Sequence, residues 1–379
     1  MSQLPPADGK SRDRLTFGLP GTIVPPFASV ARNAQRSEAA GAEAIWFPDH
    51  LMGFWPQSLW TPDVTPLAAL QASPHVFFDP FVAMASAGEA TSHLRLGTAV
   101  TQPLSRHPAH LAQSFLTLSH LTGGRAILGL GAGEAENLAP YGVGVERAAA
   151  RVEEAVEIIR LLWSSGEPVS FAGSFWDLRD AVLGLQPTSE APPPPIWLAA
   201  HGPRMLRLTG RAADGWLPIK MPPAAYAAAL AKVRHAAAEA GRSTDDVLPA
   251  AWGFTVVHED EREVARILDH PLVKGVCLMF GAQSFHRHGV EHPLGDRGGF
   301  HEYIPTRLSR ADALAAVARI PGEVVRDHLF AGTPDQLVFE LRALEAVGLR
   351  HAVLWNITFL ADPALAGPSF RLLDEVIRA

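Results

Sequence analysis

The sequence predicts an α/β chain folded as a closed (β/α)8 TIM barrel, and three observations carry that prediction. Short apolar runs alternate with helical patterns along the chain, eight such runs occur, and 379 residues suffice for eight units to close in one domain. Strict alternation implies parallel strands, because a helix must carry the chain back before the next strand can run the same way. An open doubly wound sheet is the competing arrangement, and the count of eight favours closure.

LTFGL (15–19) opens the series, and FASVARNAQRSEAAG follows as a helix closed by Gly41. AIWF (44–47) precedes a long loop and then DPFVAMASAGEAT, where Asp79 caps the helix and Pro80 takes its first position. LRLGTAV (94–100) precedes PAHLAQSFLTLSHL, and RAILGLG (125–131) precedes ARVEEAVEIIRLLW. In that last helix Val152, Val156, Ile159 and Trp163 recur at helical spacing and define one buried face. IWLAA (196–200), GWLPI (215–219) and AWGFTVV (251–257) continue the rhythm, each with its helix, and HAVLWN (351–356) completes it. Residues 165–195, ending in APPPPI, and about 270–332 exceed ordinary connections. They are expected as insertions in a single domain spanning 1–379.

Composition narrows the function. The chain is 47% hydrophobic and 19% charged with net charge −7 and no long basic run, which disfavours a nucleic-acid partner. The single cysteine, Cys277, excludes an internal disulfide and fits a reducing compartment. MSQLPPADGKSRDR at the start has no apolar leader core, and no apolar run reaches membrane-spanning length. A cytoplasmic protein without a membrane span is expected. Nine Trp and 18 Phe stand against three Tyr. Core filling accounts for Trp163 and Trp216. Phe54, Trp55 and Trp60 occupy a polar, Pro-containing loop after a strand, and they are expected to wall a bulky hydrophobic ligand.

The chemistry of a parallel barrel gathers at the C-terminal ends of its strands. GGRAILGLGAGEAEN (123–137) looks like a phosphate loop, but its glycines at 129, 131 and 133 spell GxGxG and not the dinucleotide GxGxxG. Its meaning has to come from the other strand ends: Pro48-Asp49-His50, Thr101-Gln102-Pro103 with Ser105-Arg106-His107, and His201-Gly202-Pro203-Arg204. Asp49 beside His50 suits proton transfer, since a carboxylate can fix an imidazole tautomer or raise its basicity. Glu134 lies where glycines let backbone approach a ligand. Gly202-Pro203 opens a helix whose unpaired amides favour an anion. HRHGVEH (286–292) has spacing that could ligate zinc, but it lies in an insertion, so no metal is expected and His288 is placed on a lid facing substrate.

Taken together, the Pro48-Asp49-His50 turn, LRLGTAVTQPLSRHPAHLAQ, RAILGLGAGEAEN and AAHGPRMLRLTGRAADGW resemble the bacterial luciferase-like superfamily, in its order, over roughly residues 15–360. The likeness is to the branch that uses the deazaflavin F420, and within it HGPRMLR, RHGVEHPLG and GTPD are similar to the phthiodiolone dimycocerosate ketoreductases. It is less to the F420-dependent glucose-6-phosphate dehydrogenases, whose lysine clamp Lys220 matches only approximately; Trp55 is one position later than that branch's tryptophan. The resemblance implies a ring site at Asp49 and His50, a non-prolyl cis bond at Ala99–Val100, and further cofactor contacts from Gln102, Gly133, Glu134, Ala135 and Asn137. It places the phosphate at Ala200, His201 and Gly202. It implies hydride transfer between C5 of F420 and a carbonyl or alcohol carbon of a lipid-like ketone or alcohol, with His50, Glu134 and Asp49 catalytic, and a homodimer. An FMN-dependent monooxygenase, a non-catalytic flavin-binding protein and a metal-dependent hydrolase barrel are the alternatives.

Overall fold

In the computed structural model, which describes residues 14–379, each of the eight apolar runs contains a strand. The N-terminal stretch read for a leader lies, up to residue 13, outside the described residues. In chain order the strands are β1 (Thr16–Pro20), β2 (Ala44–Phe47), β3 (Arg95–Thr98), β4 (Ala126–Leu130), β5 (Val169–Ala172) and β6 (Asp177–Ala181). They continue as β7 (Ile196–Leu198), β8 (Gly215–Trp216), β9 (Leu248–Val257), β10 (Phe330–Gly332) and β11 (His351–Asn356). Eight of them close a parallel barrel in the order β1-β2-β3-β4-β7-β8-β9-β11, with β11 pairing back onto β1.

The three strands outside the expected eight lie in the two long segments. β5 and β6 form an antiparallel hairpin within 165–195. β10 pairs with the last residues of β9, beyond the point where β8 has stopped. β8 is shorter than GWLPI because Pro218 has no N–H to donate, and Ile219 rejoins β9 only as a single bridge to Trp252. A three-residue FAG strand offers no alternation to read, so β10 was invisible in the pattern.

The helices follow their local signals. Asp79 accepts from the amides of Phe81 and Val82, capping Pro80–Glu89. Gly41, with φ of +90°, follows the end of Ser29–Ala39. Val152, Val156, Ile159 and Trp163 of helix Ala148–Ser164 are all buried, as their spacing required. They belong to an outer core between helices and barrel.

A second core fills the barrel itself. The Trp46 and Trp197 indoles meet there with centroids 5.1 Å apart, and both touch the His351 imidazole. Two indoles fit only because their neighbours lack side chains: a Cβ at Gly18 or Gly97 would run into Trp46, and one at Gly215 would stand 2.5 Å from Trp197. Trp46 Nε1 donates to His351 Nε2 at 3.2 Å, which puts the imidazole proton on Nδ1, 2.8 Å from Thr16 Oγ1. Thr16 in turn donates to the carbonyl of Arg350. Burial, with Arg95 adding to it, pushes the His351 pKa down to about 3.

This inner core does not end at the barrel rim. Phe254, Val353 and Trp355 continue into Val273, Cys277, Phe280, Phe285 and Tyr303. The long segment after β9 therefore packs on the C-terminal mouth and covers it.

Gly97→Ala is expected to lower unfolding free energy by about 1–3 kcal/mol, the cost of overpacking a filled core, as read by urea denaturation. The buried neutral His351 gives a signed pH effect. Its folded pKa of about 3 lies below the ordinary 6.5, so the unfolded chain protonates first. The contribution of the neutral ring is complete above pH 6.5 and falls away as pH drops towards 3. In His351→Gln that fall is expected to be shallower by roughly 1.4 kcal/mol per pH unit, one proton's worth.

Candidate active site at the barrel mouth

The glycines of GLGAG are explained by the neighbouring strand. A Cβ at Gly129 would overlap the Thr98 carbonyl oxygen, and one at Gly131 would lie 2.6 Å from Val100 Cγ2. The end of β3, including a cis Ala99–Val100 peptide, crosses close over the end of β4. Gly133 then takes φ of +81°, a conformation that suits glycine, and turns the chain into the short helix Ala135–Leu138.

That turn delivers Glu134 to His50. His50 Nε2 lies 3.2 Å from Glu134 Oε2, and the His50 side chain is only 7% exposed. Asn137 Oδ1 accepts from the amides of Leu51 and Met52 at 2.8 and 3.0 Å, which fixes its amide orientation. Its Nδ2 therefore donates to His50 Nδ1 at 2.8 Å, leaving the proton of the neutral ring on Nε2, aimed at Glu134. The carbonyl of Met52 also lies 3.0 Å from Nδ1. Each protonation state of the ring thus has a partner: Asn137 for the neutral form, Met52 for the imidazolium. Phe77 stacks on the ring at 5.4 Å and Phe54 meets it edge-on at 6.0 Å.

Asp49 is not the partner of its neighbour. Its carboxylate accepts from Arg106 Nε and Nη2 at 2.6 and 2.8 Å and from Thr101 Oγ1. Adjacent residues in extended backbone point apart, so the carboxylate that meets His50 comes from β4. Arg106 also bonds Asp79 at 2.9 Å and lies over the Phe81 ring, tying the first turn of helix Pro80–Glu89 to the loop after β2. The Asp49 carboxylate is thereby engaged by Arg106 and Thr101.

Two other expected cofactor contacts are committed within the protein. Gln102 is buried, accepts from the amides of Leu104 and Ser105, and donates to the Ser105 hydroxyl, so its side chain shapes its own loop. Asn137 spends its amide on the His50 loop. Ala99, Val100, Gly133 and Glu134 are half-buried at the mouth, with Ala135 buried beneath them. At the end of β7, Ala200 is buried and accepts from Trp216 Nε1. His201 and Gly202 are exposed. His201 Nε2 accepts from the Ile219 amide, and Gly202 caps helix Pro203–Ala212 with open space where its side chain would be.

The aromatic loop is more buried than its polar sequence suggested. Phe54 and Trp60 are 9% and 8% exposed. Trp60 donates to the Gln71 carbonyl and backs Trp55, so it props the wall without facing the mouth. Phe54 packs on Phe254 and Trp55. The cover reaches the same place: Ala135 N donates to the Phe300 carbonyl and Tyr303 Oη donates to the Phe54 carbonyl. His288 Nε2 lies 2.9 Å from Asp327 Oδ2, a contact within the cover. Lys220 is buried, donates to the carbonyls of Arg326 and Leu329, and pairs with Glu340, which makes it a structural lysine.

Sequence reasoning gave no role to Arg106, Phe77, Glu136 or Tyr303. Glu136 is 1% exposed, and its Oε1 is buried without a hydrogen-bond partner among the described residues. Burial, then the neighbouring Glu134 charge, holds its carboxyl well above the usual range. The second acid of GEAEN, two residues after Glu134, is the signal the sequence offers.

The pattern of the luciferase-like monooxygenase family matches residues 11–351 of this chain. The phthiodiolone/phenolphthiodiolone dimycocerosates ketoreductase of Mycobacterium tuberculosis is 37% identical over 361 residues, covering 93% of this chain and 94% of the relative. The 5,10-methylenetetrahydromethanopterin reductase of Archaeoglobus fulgidus is 29% identical over 263 residues, covering 69% and 77%. Among solved structures, an F420-dependent secondary alcohol dehydrogenase in complex with an F420-acetone adduct matches with a TM-score of 0.72 at 21% identity. That match covers 96% of this chain and 98% of the other, a likeness of fold.

Arg106→Met leaves the Asp49 carboxylate, mostly buried, without its cation. It is expected to cost about 2 kcal/mol in unfolding free energy, below the figure for a fully buried pair because Arg106 is partly solvated. A double-mutant cycle with Asp49→Asn should show coupling above about 1 kcal/mol.

Proposed function

The chain belongs to the luciferase-like monooxygenase family, and from that premise we propose that it is an F420-dependent oxidoreductase acting on a carbonyl or alcohol carbon of a bulky, hydrophobic, lipid-like substrate. The observation that carries this reading is the His50–Glu134 pair, held by Asn137 at an aromatic-walled barrel mouth. The names of the relatives, a ketoreductase and a methylenetetrahydromethanopterin reductase, support a reductase over an oxygenase. No described helix is long and apolar enough to cross a membrane.

The residues present fit a flat heterocycle with a phosphorylated tail. Ala99, Val100 and Gly133 present apolar surface and bare backbone. The buried indole N–H groups of Trp55 and Trp252 have no partner among the described residues and belong to the aromatic cluster that includes Phe54. Polar atoms left so are suited to a ligand with acceptor atoms. The first amides of helix Pro203–Ala212, behind Gly202, are free for a phosphate. When bound, the deazaflavin supplies hydride donor or acceptor chemistry at C5.

The chain's own groups do the rest. As the imidazolium, His50 gives the Nε2 proton needed at the substrate oxygen and keeps its Nδ1 proton on the Met52 carbonyl, while Glu134 stabilises the charged ring. Asn137 and Met52 keep the ring in place through both states. Phe54, Trp55 and the segment after β9 exclude water and leave apolar surface for the substrate.

Titration with F420 and FMN, read by ligand fluorescence, is expected to show binding of F420. Turnover of a long-chain ketone with reduced F420 should follow. Tight FMN binding with oxygen uptake would replace this reading by a monooxygenase. His50→Ala is expected to lower kcat about a hundredfold to ten-thousandfold with F420 affinity nearly unchanged; undiminished kcat removes His50 from the chemistry.

A further inference from the structure

The reaction proposed above gives no task to Glu136, yet its carboxyl group is set against the proton-handling pair. A ring nitrogen of His50 and one carboxyl oxygen each of Glu134 and Glu136 lie within 4.8 Å of one another. The Glu134 and Glu136 carboxyl groups thus lie side by side at the mouth. Two carboxyl groups this close can bond to each other only with a proton between them, since an ionised carboxylate has no donor.

The surroundings say which acid keeps that proton. Glu134 is partly open to the mouth, its side chain 27% exposed, and faces the His50 imidazole. Glu136 is 1% exposed and has an orphaned buried Oε1. An ionised carboxylate there would lose its hydration with no described cation beside it to offset the loss, at a cost of several kcal/mol. The titratable groups facing Glu136 are Glu134 from its own turn, His50 from the loop after β2 and Tyr303 from the cover. Tyr303 gives its hydroxyl proton to the Phe54 carbonyl. Arg106 is engaged by Asp49 and Asp79. No described cation is directed at Glu136.

We propose that Glu136 is a constantly neutral acid whose hydroxyl donates to Glu134, making it the positioning residue that holds the Glu134 carboxylate against His50 Nε2. It acts through Glu134 and transfers no proton in turnover. The donated hydrogen bond withdraws electron density from Glu134 and so moderates how strongly that carboxylate favours the imidazolium. The role in catalysis rests on the reading of function above; the protonation and the hydrogen bond do not.

The test is made first on the free protein. Infrared spectra at neutral pH are expected to show a protonated-carboxyl stretch that is absent in Glu136→Gln. The His50 ring, followed by NMR titration, should behave in Glu136→Gln as in the wild type, because the amide is an isosteric neutral donor. In Glu136→Leu, which lacks a donor, the His50 pKa should rise by about half a unit or more, the shift corresponding to one ordinary hydrogen bond. With F420 and ketone, the pH profile of kcat should move with the Leu variant and return with Gln. The proposal is overturned if the carboxyl band survives in Glu136→Gln, if Gln shifts His50 as Leu does, or if the purified protein holds a stoichiometric divalent cation on these three residues. Should the Leu variant not fold, the infrared comparison on Glu136→Gln still decides. A failure of F420 turnover with the free-protein results intact would sink the function and leave the proton on Glu136.

Discussion

The close passage of the end of β3 over the end of β4 is the constraint on which the mouth depends. Thr98 leaves no room for a side chain at Gly129, and Val100 leaves none at Gly131. Because both positions are bare, the strands approach, and Gly133 can turn the chain inwards with φ of +81°. That turn sets Glu134 on His50 and starts the helix from which Asn137 reaches back to Leu51 and Met52. One residue beyond Val100, Thr101 donates to Asp49, so the same strand end steadies both sides of the His50 loop.

Environment divides the labour among the acids at this mouth. Asp49 is neutralised by a two-pronged Arg106 contact and held as a strut. Glu134 has no arginine and looks at an imidazole. Glu136 has neither, and burial favours its uncharged form. Three carboxyl groups of similar intrinsic acidity thus acquire a structural, an electrostatic and a hydrogen-bonding character from what surrounds them. The imidazole benefits from the arrangement, since its Nδ1 faces one donor and one acceptor and its Nε2 faces a carboxylate.

The segment after β9 turns this barrel end from an open rim into an enclosed site. Its apolar residues share one core with Phe254 and Trp355, so covering the mouth and filling the barrel are the same packing event. Lys220 fastens that cover by satisfying the carbonyls of Arg326 and Leu329 at the end of helix Gly322–His328. His288 and Asp327 pair within it.

Local signals in the chain determined the eight barrel strands, the helices between them and the glycine-rich turn, because period, caps and punctuation are properties of neighbouring residues. They also marked His50 and Glu134 as strand-end groups, since a parallel barrel brings those ends to one rim. The pairing of His50 with Glu134 in place of Asp49 was settled by tertiary structure, as adjacent side chains on an extended chain diverge while distant strand ends converge. The same holds for Trp60 as a prop, Gln102 as a loop brace, His288 as a partner of Asp327 and Glu136 as a buried acid. Each depends on which atoms of remote segments arrive within hydrogen-bonding distance, and spacing along the chain carries no record of that.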